Sequence, residues 1–135
     1  MNAGYSTTPL AKKLGIKSSA KIFLINAPEH YFDLFSDWPV NTEIVEEPAP
    51  ESVDFIHIFC QKKEDLLNGN GYIKYLKKNG LLWISWIKLS SKMPSCFKEN
   101  DIRDYFLAAG LVDVKVAAVD KDWSGLKFVY RLEDR

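Results

Sequence analysis

The chain has 135 residues, 47% of them hydrophobic and 13% aromatic, which suits one domain that buries roughly two thirds of its unfolded surface. Its 18 basic and 18 acidic residues cancel, whereas a nucleic-acid partner normally requires a basic excess. No apolar stretch approaches the ~20 residues of a membrane span, and the first residues lack the apolar region of a signal peptide. We therefore expect one domain, residues 1–135, that is cytoplasmic and has neither nucleic acid nor a membrane as partner.

The first predicted elements are a helix over residues 6–16 and a strand over residues 21–27. Thr8 suits the helix N-cap, Pro9 its first position and Gly15 its end. The strand is a short apolar run, and so are residues 53–60 and 81–87. Runs without alternation are typical of central parallel strands that are covered on both faces.

The last two strands differ, because their residues alternate between apolar and polar. In residues 112–119, Val112, Val114 and Val116 are expected to share one face, which indicates a strand near a sheet edge. Residues 125–132 alternate as well. Only the segment from Asp120 to Gly125 separates the two strands, and a parallel crossover needs a dozen or more residues. They are therefore predicted to form an antiparallel hairpin.

Three helices are predicted between the strands. Residues 29–37 are weakly patterned and end before Pro39, and residues 61–78 form a longer helix interrupted at 68–71. Lys74, Lys77 and Lys78 are expected to close that helix, where its dipole favours cations. In residues 100–109 the apolar side chains recur at helical spacing, and Gly110 follows as a cap. These side chains are Ile102, Tyr105, Phe106 and Ala109.

This order of elements predicts a three-layer α/β domain with a Rossmann-like, mostly parallel sheet that ends in an antiparallel hairpin. It resembles the layout of adenosylmethionine-dependent methyltransferases, and Leu76-Lys77-Lys78-Asn79-Gly80 before an apolar strand partly matches the Leu-Lys-Pro-Gly-Gly of that family. The resemblance concerns the fold and implies no activity. The predicted core residues are Phe23, Ile25, Ile56, Ile58, Trp83, Ile84, Ile102, Phe106, Val114 and Phe128.

Two features depart from the methyltransferase pattern. The turn Asn26-Ala27-Pro28 lacks glycine, and Pro28 also removes an amide donor, so we expect no adenosylmethionine to bind there in the usual way. Residues 47–52 contain two prolines and are predicted to form an extended strap in place of a helix. Glu46 occupies the position of an acid that would bind ribose hydroxyls. Without a glycine turn it is interpreted as a solvated charge, and no cofactor is predicted.

Three stretches carry a closer resemblance. They are residues 3–16, 109–116 and 122–129, with a weaker match at Leu82-Trp83-Ile84-Ser85-Trp86 followed by Lys88. On these stretches the chain resembles a small, uncharacterised bacterial family, the domain of unknown function numbered 3052, which usually has proline where Ile87 stands. That family has no established activity or catalytic residues, so the resemblance implies the fold and leaves the function open.

The titratable and thiol side chains indicate no catalytic or metal site. Cys60 and Cys96 match no metal spacing, and Cys60 is interpreted as a core residue because it ends an apolar run. His57 lies within a strand and is predicted to be a packed histidine rather than a base. His30 has no partner that the sequence can identify. No Ser-His-Asp or Cys-His spacing is present.

In open α/β sheets, ligands bind at the carboxyl ends of the strands. The candidate ligand-binding residues that follow strands there are Asn26, Glu29, Trp86, Lys88, Asp122, Trp123, Ser124 and Lys127. In a functional interpretation, Trp123 is a lid or stacking platform, and Lys88 and Lys127 recruit an anionic or planar ligand. In the alternative, the segment 122–125 is a tight turn whose indole only packs on the sheet.

Three functional hypotheses follow. The leading one is a non-catalytic, methyltransferase-like module that binds a small ligand or a protein partner, because the sheet is complete and the cofactor turn reduced. The second is an adenosylmethionine-dependent methyltransferase with an atypical cofactor site. The third is a structural or dimerisation protein that associates through its C-terminal edge strand. Monomer and homodimer are both compatible with the sequence.

Overall fold

The structure, a computed structural model, describes residues 8–135. Its strands are β1 (Lys21–Ile25), β2 (Glu43–Ile44), β3 (Val53–Cys60), β4 (Leu76–Ile87), β5 (Leu111–Ala118) and β6 (Trp123–Tyr130). Its α-helices are α1 (Leu10–Leu14), α2 (Lys63–Gly69) and α3 (Glu99–Ala108), and short 3₁₀ helices span Tyr31–Leu34, Asn70–Tyr75 and Leu132–Asp134.

All six strands form one sheet in the order β2-β1-β3-β4-β6-β5. The pairs β1–β2, β1–β3 and β3–β4 are parallel. The pairs β4–β6 and β5–β6 are antiparallel, and β5 is an edge strand. The predicted Rossmann-like, mostly parallel sheet with a closing antiparallel hairpin is therefore confirmed.

Each face of the sheet has its own apolar cluster, which explains why β3 and β4 are apolar without alternation. On one face, which we call the α3 face, Ile58, Ile84 and Phe128 pack beneath α2 and α3. On the other, the α1 face, Trp83 and Phe59 pack beneath α1 and the 3₁₀ helix Tyr31–Leu34. All the predicted core residues are buried except Val114.

Helix α3 follows its sequence pattern except at Ala109, which comes directly after the helix and is exposed. The Asp101 carboxylate accepts the Lys98 N–H at 2.8 Å and so caps the first turn. Ile102 and Phe106 are fully buried on the sheet. Gly110, with φ of +100°, follows the helix in the left-handed conformation.

Helix α1 is shorter than predicted, and its cap comes from elsewhere in the chain. It begins at Leu10, with Pro9 before it rather than inside it, and residues 6 and 7 of the prediction lie outside the described residues. The Asp37 carboxylate accepts the N–H groups of Ala11 and Lys12, both at 3.0 Å. Gly15 ends the helix as predicted, at φ of +86°.

The predicted helix over 61–78 is wrong in its second half. Helix α2 ends at Gly69, the 3₁₀ helix Asn70–Tyr75 follows, and Lys77 and Lys78 lie on β4. Leu76 pairs with Val53 of β3, so strand pairing and two nearby glycines override the helical pattern. The lysines at 74, 77 and 78 therefore do not close one helix.

The predicted helix over 29–37 is also wrong. Only the 3₁₀ helix Tyr31–Leu34 forms, because the apolar side chains here bury as an aromatic cluster rather than along a helical stripe. Tyr31 is almost fully buried, and its ring lies 5.2 Å from Phe35 and 5.7 Å from Phe59, between centroids.

A β-bulge overturns the predicted alternation of β5. The register shifts between Asp113 and Lys115, so Val114 falls on the bulge and is 53% exposed instead of buried. The bulge reverses the alternation of side chains. Asp113 consequently reaches Arg103 of α3 at 3.0 Å, while the Lys115 ammonium reaches the carbonyl of Lys13 after α1.

The hairpin loop is tighter than predicted, because β6 already begins at Trp123. The Asp120 carboxylate accepts the N–H groups of Asp122 and Trp123, both at 2.8 Å, which fixes the turn. Before β3, the segment of residues 47–52 contains neither helix nor strand, in agreement with the predicted strap.

Candidate functional site

The strand order reverses between β1 and β3, so a crevice at the carboxyl ends of these two strands is the expected ligand position of the fold. We call it the switch-point crevice. Asn26, the first residue after β1, spans it. Its side-chain amide donates to the carbonyl of Phe59, at 3.4 Å, and to Asp65 Oδ1, at 3.3 Å. A protein side chain therefore links β1 to β3 and α2 where a ligand would pass.

Asn26 also supplies the backbone conformation for which such a turn often uses glycine. It adopts φ of +59°, a left-handed conformation that asparagine tolerates better than most residues. The turn therefore needs no glycine for its backbone course. A glycine would leave the space beside the backbone free, however, whereas the Asn26 side chain fills it.

The segment after this turn offers little to an anion. Pro28 has no N–H, and its carbonyl accepts the Tyr31 N–H at 3.0 Å. Only a four-residue 3₁₀ helix follows, so no α-helix begins here to present free N–H groups. Glu29 is exposed, and Glu46 is exposed beyond the two-residue β2.

Asp65 is a residue that sequence reasoning missed. Its other oxygen, Oδ2, accepts the N–H groups of Gln61 and Lys62 at 2.9 and 3.0 Å, so it caps α2 while it holds Asn26. An acid in the first turn of a predicted helix was the available signal. Burial, and then the charge of Asp65, raises the pKa of the Cys60 thiol to about 12, so Cys60 is buried and protonated, not a nucleophile.

The two indoles of the predicted site do not face each other. Trp86 pairs with Ser124, and Ile87 pairs with Trp123. Because adjacent residues of a strand point to opposite faces, Trp86 lies on the α3 face and Trp123 on the α1 face. Trp123 is only 5% exposed and packs edge-on against Phe59, at 4.9 Å between ring centroids.

Three of the predicted residues do come together. Trp86, Lys88 and Ser124 line a shallow surface cavity of about 410 Å³, together with Lys98 and Glu99 at the start of α3. Asp122 lies nearby and has structural contacts. Its carbonyl accepts the Lys88 N–H at 2.8 Å, and its carboxylate accepts the Ser91 hydroxyl at 2.8 Å.

The remaining predicted residues lie apart from this cavity. Lys127 is on the α1 face, opposite Lys115 of β5. Asn26 and Glu29 belong to the turn after β1. His30, for which the sequence indicated no partner, lies 3.3 Å from Asp120 of the hairpin turn. The ligand-binding role of these residues stays a prediction.

A second cavity, of about 440 Å³, lies at the opposite edge of the sheet, by the amino ends of β1 and β3. Lys77 and Asp54 form an ion pair in its wall, with Nζ and Oδ1 2.9 Å apart. The Asp54 carboxylate also accepts the Lys21 N–H at 2.8 Å. Both partners of the ion pair are therefore already engaged within the protein.

His57 belongs to a buried hydrogen-bonded chain rather than to a cleft. Its Nδ1 lies 3.0 Å from the Tyr31 hydroxyl, and its Nε2 lies 2.7 Å from Ser85 Oγ. All three side chains are buried, and burial lowers the pKa of His57 to about 3. The neutral imidazole satisfies two buried hydroxyls, which confirms that His57 is a packed histidine.

Residues 8–135 offer neither a metal-binding group of side chains nor a membrane-spanning helix. No group of three or more histidine, cysteine, aspartate or glutamate side chains in this range is placed to hold a metal ion. Within the same range, no helix is long and apolar enough to cross a membrane.

Comparison with known proteins identifies the fold. No family model matches the chain, and no curated protein matches it. A SAM dependent methyltransferase from Aquifex aeolicus is similar in structure, with a TM-score of 0.60 and 16% identity over 87% of this chain and 85% of that chain. A putative type 11 methyltransferase from Sulfolobus solfataricus is also similar, with a TM-score of 0.60 and 14% identity over 90% of this chain and 89% of that chain.

A third similar structure is the complex between the Haloferax volcanii Trm112 methyltransferase activator and the putative methyltransferase, with a TM-score of 0.62 and 9% identity over 89% of this chain and 86% of that chain. At these identities the likeness concerns the fold alone. Together with the strand order, it shows that the chain has a methyltransferase-like, Rossmann-like α/β fold.

Proposed function

We propose that this protein is a methyltransferase-like module that does not transfer methyl groups and that binds a small ligand or a protein partner. The observation that supports this most directly is the link from Asn26 to Phe59 and Asp65 across the switch-point crevice. The residues present do not fit adenosylmethionine there. The Asn26 side chain occupies the approach to the backbone, and Pro28 supplies no N–H donor.

The second candidate is a methyltransferase that holds adenosylmethionine in an atypical way. It is favoured by the names of the similar structures, which are methyltransferases. A protein partner is also suggested by one of them, which was solved as a complex with an activator. Methyl transfer and the activator are properties of those other proteins. The non-catalytic module and the atypical methyltransferase differ in whether this chain binds adenosylmethionine.

Dimerisation through the C-terminal edge strand has less support. Strand β5 carries the bulge at Val114 and an exposed lysine, Lys115. Natural sheets use both features to prevent edge-to-edge pairing. We propose a monomer, which light scattering at micromolar concentration would test.

We further propose that the chain is cytoplasmic and belongs to the bacterial family whose end motifs it resembles.

Isothermal titration with adenosylmethionine separates the first two candidates. We expect the wild-type protein to release no binding heat with millimolar ligand. Asn26→Gly keeps the left-handed turn but removes the link, so it should gain weak binding. Asn41→Gly is the matched control, because Asn41 is an exposed asparagine at φ of +61° in another turn. Micromolar binding by the wild type, with competition by the demethylated product, would favour the enzyme.

A further inference from the structure

An exposed apolar surface lies between the 3₁₀ helix that follows β1 and the edge strand β2. Phe32 is 48% exposed, Val40 67% and Ile44 42%. Trp38 connects these side chains, since its ring centroid lies 5.1 Å from that of Phe32. Its indole N–H also donates at 3.0 Å to the hydroxyl of Thr42, just after the turn that leads into β2. We call Phe32, Trp38, Val40 and Ile44 the Trp38 patch.

The segment that carries the Trp38 patch is acidic throughout. Residues 22–61 contain eight of the 18 acidic residues of the chain and none of its 18 basic residues. Asp37 caps α1 and Asp54 pairs with Lys77, so these two carboxylates are engaged. Lys21, the basic residue just before the segment, lies opposite β2 in the register but forms no ion pair. The other six acids are exposed and make no hydrogen bond or ion pair with any described residue: Glu29, Asp33, Glu43, Glu46, Glu47 and Glu51.

The strand edge beside the Trp38 patch is unpaired. The Glu43 N–H donates to the Ala20 carbonyl at 2.9 Å, and the Val45 N–H donates to the Ile22 carbonyl at 2.8 Å. These two residues therefore direct their backbone groups towards β1. The backbone N–H and C=O of Ile44, between them, point away from the sheet, because β2 is its edge strand. An extended segment of chain can pair with such an edge.

The negative charge decides between the possible occupants of this surface. Nucleic acid and anionic lipid membranes are negative themselves, so the carboxylates repel them. A metal ion does not fit, because no group of three or more histidine, cysteine, aspartate or glutamate side chains among residues 8–135 is placed to hold one. A second copy that paired edge to edge would bring Glu43 and Glu46 of both copies together. A positively charged protein segment meets none of these obstacles.

We propose that the Trp38 patch and the β2 edge bind a basic, extended segment of a partner protein. Alternate side chains of an extended segment point to opposite sides, so apolar ones pack beside Ile44 while lysines or arginines lie beside Glu43. The charges then speed association and select the partner, and the apolar contacts hold it. This inference rests on the proposed function in that it names the class of protein partner.

A labelled octapeptide of alternating lysine and leucine, with blocked ends, is the probe, and fluorescence anisotropy at low ionic strength measures its binding. We expect micromolar binding by the wild type, weakened by salt. The double variant Glu43→Gln/Glu46→Gln should bind about fivefold more weakly, because two charge pairs are lost. The matched control Asp104→Asn/Glu133→Gln removes the same charge from exposed positions elsewhere and should bind like the wild type.

A second pair of variants tests the apolar contacts. Ile44→Thr keeps a β-branched residue at the edge but removes apolar area, so it should weaken binding about tenfold. Val40→Thr should also weaken binding, and it tests the patch if Ile44→Thr fails to fold, because Val40 lies in an exposed turn. Leu132→Thr changes an exposed leucine of the C-terminal 3₁₀ helix and should have no effect. The Tm of each variant reports whether its fold is intact.

The proposal is overturned if the wild type does not bind the octapeptide, or if the patch variants and their controls respond alike. It is also overturned if octalysine binds as tightly as the alternating peptide, because the apolar side chains would then have no role. A dimer in light scattering that Ile44→Thr dissociates would overturn it too, since the occupant would be a second copy.

The result does not depend on adenosylmethionine. If adenosylmethionine binds the wild type while octapeptide binding requires Ile44, the proposed absence of methyl transfer fails and the docking surface stands. If neither binds, the docking surface fails and the absence of methyl transfer remains the better account of the switch-point crevice.

Discussion

The contact between Gly69 of α2 and Phe106 of α3 offers a quantitative test of how the α3 face packs. A Cβ atom at position 69 would lie 2.9 Å from Phe106 Cζ. The Phe106 ring is fully buried, and its centroid lies 5.2 Å from that of Phe128, so it has little room to move away. Gly69→Ala should therefore overpack the core, at a cost of about 1–3 kcal/mol.

The same substitution has an opposing benefit, because Gly69 is helical and alanine stabilises a helix by roughly 0.5–1 kcal/mol relative to glycine. Phe106→Ala alone should cost about 3–5 kcal/mol by leaving a cavity. In that background the clash disappears, so Gly69→Ala should stabilise the protein. The sign of its effect is thus expected to reverse, with a coupling energy of about 2 kcal/mol.

Urea unfolding of the wild type, both single variants and the double variant, followed by circular dichroism, measures this coupling. Phe106→Leu provides a milder partner if Phe106→Ala is too unstable to measure, because leucine lacks the Cζ atom but retains apolar volume. A Gly69→Ala variant as stable as the wild type, with additive effects in the double variant, would show that α2 and α3 are not packed as described.

Two further predictions concern pH and a helix cap. Because the pKa of His57 is lowered to about 3 in the folded state, the unfolded chain binds a proton at a higher pH than the folded protein does. The contribution of His57 to the free energy of unfolding is therefore fully present above pH 6.5 and is lost as the pH falls towards 3. The loss should be on the order of 5 kcal/mol, and a pH series of Tm should show a smaller slope for His57→Gln. Asp37→Ala should lower the free energy of unfolding by about 0.5–2 kcal/mol because α1 loses its cap. The control Asp33→Ala, which changes an exposed aspartate nearby, should change it by less than about 0.5 kcal/mol. Equal effects of the two variants in urea unfolding would contradict the capping of α1 by Asp37.

Local patterns in the sequence were sufficient for five of the six strands and for α3, whereas the two-residue β2 and residues 76–80 of β4 were not predicted as strand. The apolar runs of β3 and β4 indicate central strands, because both of their faces must be covered. The short connection between β5 and β6 permits only an antiparallel hairpin. In α3, Ile102 and Phe106 at helical spacing were enough, because the helix packs its apolar stripe directly on the sheet. The predicted fold class followed from this order of elements.

Contacts between residues far apart in the sequence account for the predictions that were wrong. The bulge at Val114 depends on Arg103 and Lys13, which attract the residues on either side of it to opposite faces. The cap of α1 comes from Asp37, 26 residues from Ala11 in the chain. No local pattern contains such partners. The same holds for the candidate site, since the link between Asn26 and Asp65 exists only in the folded chain.

The central claim is that the switch-point crevice is closed to the cofactor that this fold would place there. Crystals of the wild-type protein grown with millimolar S-adenosylhomocysteine test it most directly. We expect the Asn26 amide still bonded to Phe59 and Asp65, with no ligand density between the ends of β1 and β3. Ordered S-adenosylhomocysteine in that crevice, with the Asn26 side chain displaced, would contradict the account.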